Sequence, residues 1–367
     1  MQLRSWRHFD FLLFGAMIVL IVFGIAMIDS AVAGNPELIE AQAVERQILF
    51  AVFGLGVIFI TTLLDYHLWI TISRVMFVVI IFFLGLVAFG GETAFGAQRW
   101  LDVGFALIQP SELAKLTAIL LLADYFQRNK AGAGTLGWVF RSFLVVFFLT
   151  ILILLQPNLS TSIVIYVIWA ALLFASGLSV RQMIVFGILA LVLAAVAFPF
   201  LEEYQQQRVI QFAFPDPEAR FGTSYNVTQA LVTIGSGGWF GLGYGQGPQV
   251  QLRFLKVRHS DFIFAATAHE FGLVGTLLML AVLFFLIWRV LRAARLAHDM
   301  FGALVCYGVA TWILFQTLVN IGMNLNLMPV TGLPLPFISH GGSSLLSLML
   351  SIGLVESVVA RHKMLEF

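Results

Sequence analysis

The chain carries a single cysteine, Cys306, inside an apolar run. One thiol excludes an intrachain disulfide and any cysteine-based metal site. Charge is scarce as well: Asp, Glu, Lys and Arg make up 11% of 367 residues, against about 25% in soluble domains. The net charge of +1 points to no partner. With no Lys/Arg-rich tail, nucleic-acid binding has no support. No internal repeat is visible, which disfavours an inverted-repeat transporter.

Hydrophobic residues are abundant instead, at 60%. Apolar runs of about 18 or more residues follow one another, which predicts an all-α integral membrane protein. A single polytopic domain over 1–367 is expected, with ten spans near 9–28, 46–64, 68–89, 111–127, 141–156, 160–177, 181–200, 262–288, 301–323 and 342–360. The first run follows Arg4 and Arg7 and precedes Ala31-Val32-Ala33, as a secretory leader would. Its length of about 20 exceeds the roughly 7–15 of a leader's apolar core, so it reads as a retained span.

Lys and Arg are unevenly shared between loops. With the N-terminus inside, Arg74, Arg128, Lys130, Arg141, Arg181, Arg289, Arg292, Arg295, Arg361 and Lys363 are internal, and the short outer loops hold only Arg46 and Arg99. The positive-inside rule then places both termini in the cytoplasm. Residues 201–261 form a large extracellular loop between the seventh and eighth spans. Its Arg208, Arg220, Arg253, Lys256 and Arg258 do not violate the rule, because long loops escape it. A loop of that size is often functional. Its apolar stretches, Val227 to Ile234 and Trp239-Phe240, predict that it packs on the outer surface.

The segment Asn320 to Leu346 lies between the last two spans and holds Pro329, Pro334, Pro336 and the pair Gly341-Gly342. Helix cannot run through those prolines. Irregular backbone beside a membrane persists only when buried in protein or lining a wet cavity. The next helix begins near Ser343, and its free N–H groups suit an anionic ligand. A tight re-entrant connection fits the same residues equally well.

Several polar groups fall on the outer side. Arg258-His259-Ser260-Asp261 marks the start of the eighth span. Asp261 there fits an N-cap or a general base at the water boundary; the cap is the commoner role. Glu112 and Lys115, three apart after Pro110, share a helix face and can pair; charges inside membranes are functional suspects. Glu270, beside His269, lies deeper and needs a partner that the sequence does not name. Gln316, Asn320 and Asn324 form a stripe suited to interhelical hydrogen bonds. The run Gly235 to Gly247 is neither a Walker A loop nor G-x-G-x-x-G, and a turn-rich loop is the simpler reading. These groups suit an enzyme or a transporter acting on a lipid-linked anion.

Four segments carry a family resemblance. Val330-Thr331-Gly332-Leu333-Pro334-Leu335-Pro336-Phe337-Ile338-Ser339 with Gly341-Gly342-Ser343-Ser344 resembles the signature of the RodA/FtsW/SpoVE (SEDS) family. Gln109 to Lys115, Ser236 to Gly247 and His259 to Phe264 resemble three more of its motifs. Tyr225-Asn226 and the short N-terminal tail resemble the RodA branch. The resemblance implies a ten-span peptidoglycan glycosyltransferase that polymerises lipid II at the outer face for cell elongation and shape. It also implies a class B penicillin-binding protein (a transpeptidase) as partner. Asp261 matches the family's catalytic aspartate, and Glu112 and Lys115 match a membrane-embedded pair. Three positions depart from the pattern: Asn158 stands for an Asp, His340 for a Tyr and Asn326 for a Gly.

The expected chemistry is attack by the acceptor's GlcNAc 4-hydroxyl on the donor's MurNAc anomeric carbon, with Asp261 taking the proton. Lys115, Arg208, Arg258, the backbone near Gly341 or a divalent cation (Mg or Mn) would stabilise the departing undecaprenyl pyrophosphate. His259 and Ser343 complete the supporting set. The alternative is a lipid II flippase, which would spread polar groups through the bilayer rather than gather them on one side. An inactive scaffold would have no use for buried Glu112 or Lys115.

Overall fold

The computed structural model describes residues 9–33, 39, 42–90, 92–94, 97–102, 107–215, 222–252, 254–255 and 257–361. Arg4, Arg7, Arg220, Arg253, Lys256, Lys363 and the Arg99 side chain lie outside the described residues. The apolar runs become helices α1 (Phe11–Val32), α2 (Ala43–Leu63), α3 (Leu68–Gly90), α4 (Pro110–Arg128), α5 (Leu136–Leu155), α6 (Leu159–Ala175) and α7 (Val180–Ala197). After two helices of the long loop, α8 (Glu203–Ala213) and α9 (Gly222–Ser236), come α10 (Ile263–Leu296), α11 (Met300–Asn324) and α12 (Gly342–Arg361).

Among the described residues, eight helices are long and apolar enough to cross a membrane, and α6 is shorter. With α4, whose first turn carries Glu112 behind Pro110 at the helix start, they occupy the ten expected positions. Proline suits that first position because its missing N–H would be unpaired anyway. Two helices outrun their expected ends for local reasons. At the end of α1, Ser30 finds Glu270 and Asp29 finds Tyr244, so polar residues are tolerated there. At the end of α10, Arg289 is paired with Asp10. A small antiparallel sheet in the order β1 (Glu92–Ala94), β2 (Ala97–Asp102), β3 (Leu107–Ile108) precedes α4. It was not anticipated.

The packing centres on α11 and α12. Helix α12 lies along α2, while α11 is flanked by α10, α6 and α4; α1 packs on α10 and α3 on α4. Helix α7 has no buried residue. As expected, the long loop packs on the bundle, with α9 against α10. The start of α1 meets the last turns of α12 and α10: Asp10 N–H donates to Glu356 Oε2 at 2.9 Å, and Arg289 Nε donates to Asp10 Oδ2 at 2.8 Å. Buried charge therefore gathers at this end too, paired within itself, and not only at the opposite end as the sequence suggested.

The glycine-rich run has a structural task. Helix α10 is broken at Gly272 (φ 67°, ψ −167°), and the 237–247 segment docks into the break. Leu242 N–H and Gly243 N–H donate to the His269 and Glu270 carbonyls at 3.1 and 3.0 Å. In return, Leu273 N–H and Val274 N–H donate to the Gly238 and Trp239 carbonyls at 2.9 and 3.0 Å. The backbone groups freed by the break are thus satisfied by protein, which an apolar surrounding demands. A Cβ on Gly241 would run into the Glu270 carbonyl.

Candidate active site

Asp261 lies in the turn just before α10 and is half-buried. It does not cap the helix: Phe262 holds the cap position, and no side chain of the preceding turn bonds to the first helical amides. The N-cap role expected from local sequence is therefore wrong. The Ala265 N–H is taken instead by Asn324 Oδ1, from the end of α11, at 3.2 Å. This leaves the Asp261 carboxylate open to one local donor, the Ser260 hydroxyl, at 3.3 Å. On its far side is Gly332, where a Cβ would sit 3.6 Å from Asp261 Oδ2. Burial pushes the Asp261 carboxyl above the ordinary range, and the charge of Arg208 and the Ser260 hydroxyl pull it back.

Arg208 comes from α8, one turn after Tyr204, and its guanidinium lies 5.5 Å from that ring's centroid. The Tyr204 hydroxyl donates to the Pro157 carbonyl, which anchors α8 to the start of α6. Arg208 also borders a cavity of about 40 Å³ that includes Phe212, Val227, Met328 and Val330. That volume has room for a few water molecules, not a sugar.

The proline-rich segment is stitched to the Asp261 turn from several sides. Ser339 Oγ donates to the Ser260 carbonyl at 2.7 Å and accepts Leu335 N–H at 2.8 Å. His340 N–H donates to the His259 carbonyl at 2.9 Å, and the two imidazoles meet edge to face at 5.6 Å. Ser160 Oγ donates to the Thr331 carbonyl at 2.6 Å. Gln47 of α2 accepts Gly341 N–H at 3.2 Å. Each strand of this seam holds a non-glycine residue in left-handed backbone, Val257 at φ 51° and Phe337 at φ 65°, a conformation that costs about 1–3 kcal/mol. Asn326, where the family reads Gly, is also left-handed at φ 54°; Asn tolerates that region.

His259 is held neutral: burial, then His340 and Arg258, bring its pKa down to about 4. Arg258 is buried beside it. Ser343, at the start of α12, accepts Gln109 N–H at 3.0 Å and so fastens the approach to α4.

Lys115 does not face an open site. It is fully buried and donates to both Glu112 oxygens, at 2.8 and 2.9 Å, and to Gln316 Oε1 at 3.4 Å. Gln316 Nε2 continues to the Pro334 carbonyl at 3.4 Å. The pair therefore supports the proline-rich segment from behind, and Lys115 is not placed to meet a leaving group. Asn158 caps α6 by accepting Thr161 N–H at 3.3 Å and donates to Ser111 at 3.4 Å. Glu270 finds the partner that the sequence did not name in Ser30. Among the described residues no three His, Cys, Asp or Glu side chains gather to hold a metal ion. The described groups around Asp261 do not by themselves make a divalent-ion site.

The chain is similar to known proteins over nearly its whole length. The family of FtsW, RodA and SpoVE, described as cell cycle proteins, matches residues 10–364. The chain belongs to this family. The peptidoglycan glycosyltransferase MrdB of Escherichia coli K12 is 36% identical over 363 residues, covering 98% of this chain and 95% of that one. The probable peptidoglycan glycosyltransferase FtsW of Aliivibrio salmonicida is 35% identical over 361 residues, covering 95% and 88%. The Thermus thermophilus rod shape determining protein RodA superposes with a TM-score of 0.72 at 28% identity, covering 98% of this chain and 99% of that one. A chain from a peptidoglycan synthase complex superposes at 0.82 with 27% identity, covering 97% and 99%. As a member of the FtsW/RodA/SpoVE family the chain is a multi-pass membrane protein. Its relatives of the MrdB and FtsW names stand at similar identity, so overall identity does not separate the two branches.

Proposed function

We propose that this peptidoglycan glycosyltransferase polymerises lipid II with Asp261 as general base, at the outer face of the cytoplasmic membrane. The observation that carries the reading is the Asp261 carboxylate: it is spared from capping, raised in pKa by burial and within the field of the Arg208 charge. A sugar hydroxyl is a weak nucleophile, and a carboxylate with a raised pKa accepts its proton more readily near neutral pH. In the reaction the acceptor's GlcNAc 4-hydroxyl attacks the donor's MurNAc C1, its proton passes to an Asp261 oxygen, and the C1–O bond to undecaprenyl pyrophosphate breaks. Arg208 supplies positive charge on the same side as Asp261, where the pyrophosphate develops negative charge.

Glu112, Lys115, His259, Arg258 and Ser343 support this site without touching the reacting atoms. The two termini are cytoplasmic, with residues 201–261 outside, as the Lys and Arg distribution suggests. The role is in elongation and cell shape, following the RodA-like Tyr225-Asn226. A class B penicillin-binding protein is the partner, in keeping with the synthase complex to which one structural relative belongs. Glycan formation from lipid II by the purified protein with that partner tests the reading; transport of lipid II without polymer would replace it with a flippase.

A further inference from the structure

The first amides of α10 have no partner within the helix, as at any helix start. The Asp261 carbonyl stands four residues before the Ala265 amide, the spacing of a helical hydrogen bond. Asn324 is inserted between them: its Nδ2 donates to the Asp261 carbonyl at 3.1 Å, and its Oδ1 accepts Ala265 N–H at 3.2 Å. The next amide, Ala266, makes the first regular helical bond, to the Phe262 carbonyl at 3.1 Å. Asn320, one turn earlier on α11, donates to the same Asp261 carbonyl at 3.1 Å and to the Leu333 carbonyl at 2.8 Å. The second Asn324 hydrogen goes to the Asn320 carbonyl at 2.8 Å. Both side chains are fully buried, and each amide has two N–H donors, all of them used. Rotating either amide would orphan a buried group.

We propose that Asn324 and Asn320 are positioning residues for Asp261: they hold its peptide out of the α10 helix and fasten it to the Thr331–Leu333 segment against which its carboxylate rests. This rests on the reading of Asp261 as general base. Leucine at 324 keeps the bulk but cannot bridge. The Asp261 carbonyl and Ala265 N–H would then be left to each other, and a bond between them would extend α10 back by one residue, drawing Asp261 into the first turn and its carboxylate away from Gly332. A displacement of about 1 Å at a reacting group costs up to about 10²-fold in rate. The sequence alone suggested only that the asparagines bond between helices; which atoms they serve depends on a contact across some 60 residues of chain.

The test uses the full-length protein with its transpeptidase partner and lipid II, comparing Asn324→Leu, Asn320→Ala, Asp261→Asn and the double variant Asn324→Leu/Asp261→Asn. The expected result is a kcat lowered by about ten- to a hundredfold in Asn324→Leu and less in Asn320→Ala, with KM unchanged. The double variant should be no slower than Asp261→Asn alone, because the asparagine acts through the aspartate. Normal kcat in a folded Asn324→Leu protein, alongside an inactive Asp261→Asn, overturns the positioning role and leaves the base. An active Asp261→Asn overturns the base and the positioning role with it. A raised KM at constant kcat would assign the asparagines to substrate binding and overturn the proposal. If Asn324→Leu does not fold, Asn320→Ala, which removes one donor, carries the same comparison. Loss of folding in both would make them fold determinants and also overturn it.

Discussion

Lys115 spends its ammonium on two partners: both carboxylate oxygens of Glu112 at 2.8 and 2.9 Å, and Gln316 Oε1 at 3.4 Å. The group has three donors, so it is saturated. Lys115→Ala would strand the Glu112 carboxylate in a buried site and cost about 3–5 kcal/mol. A lower melting temperature in detergent checks this, and the charge-swapped pair Glu112→Lys/Lys115→Glu should recover part of the loss. Single variants that melt like the wild type would contradict the pairing.

The helix break at Gly272 makes a second prediction. Gly241 has φ 78° and no room for a Cβ beside the Glu270 carbonyl, whereas Gly235 has nothing within 4 Å. Gly241→Ala should lower the melting temperature, by more than the roughly 1 kcal/mol that left-handed backbone alone costs an L-residue. Gly235→Ala, in the regular part of α9, should hold or raise it. Equal effects at both positions would mean that the docked loop is not needed to close the break.

Much of the fold was readable because its signals are local. Ten apolar runs announce themselves, and Glu112 with Lys115 declares a pair by spacing alone. Other features depend on residues far apart in the chain. Glu270 finds Ser30 across 240 positions, and the glycine-rich run makes sense only against the carbonyls of α10. The Asp261 cap failed because the helix begins one residue later, with Phe262 at the cap, and Asn324, distant in sequence, serves the Ala265 amide. Lys115 also stood among the candidate cations for the leaving group, because the further hold on its ammonium comes from Gln316, on another helix.

His259 offers a pH test. Its folded-state pKa of about 4 lies below the unfolded value near 6.5. Between those values the unfolded chain binds the extra proton, so stability rises with pH through the window and is lost as pH falls from about 6.5 toward 4. Melting temperature measured across that range should drop toward acid, and His259→Gln should flatten the curve. A variant with the same slope as the wild type would show that other groups dominate.

Orientation can be read chemically. Glu203 and Arg292 are exposed and lie near opposite ends of the bundle, and Cys306 is buried. On intact cells an impermeant thiol reagent should label Glu203→Cys and leave Arg292→Cys untouched. The reverse pattern would invert the proposed topology.

Asp261→Asn bears most directly on the account. The side chain caps nothing, so asparagine, of nearly the same volume, should leave the fold and the melting temperature close to wild type. It cannot take a proton near neutral pH, and loss of a general base lowers rate by about 10²–10⁴-fold. The measurement is the rate and yield of glycan polymer from lipid II, made by the folded variant bound to its partner. The account predicts almost none, and substantial polymer from that protein would contradict it.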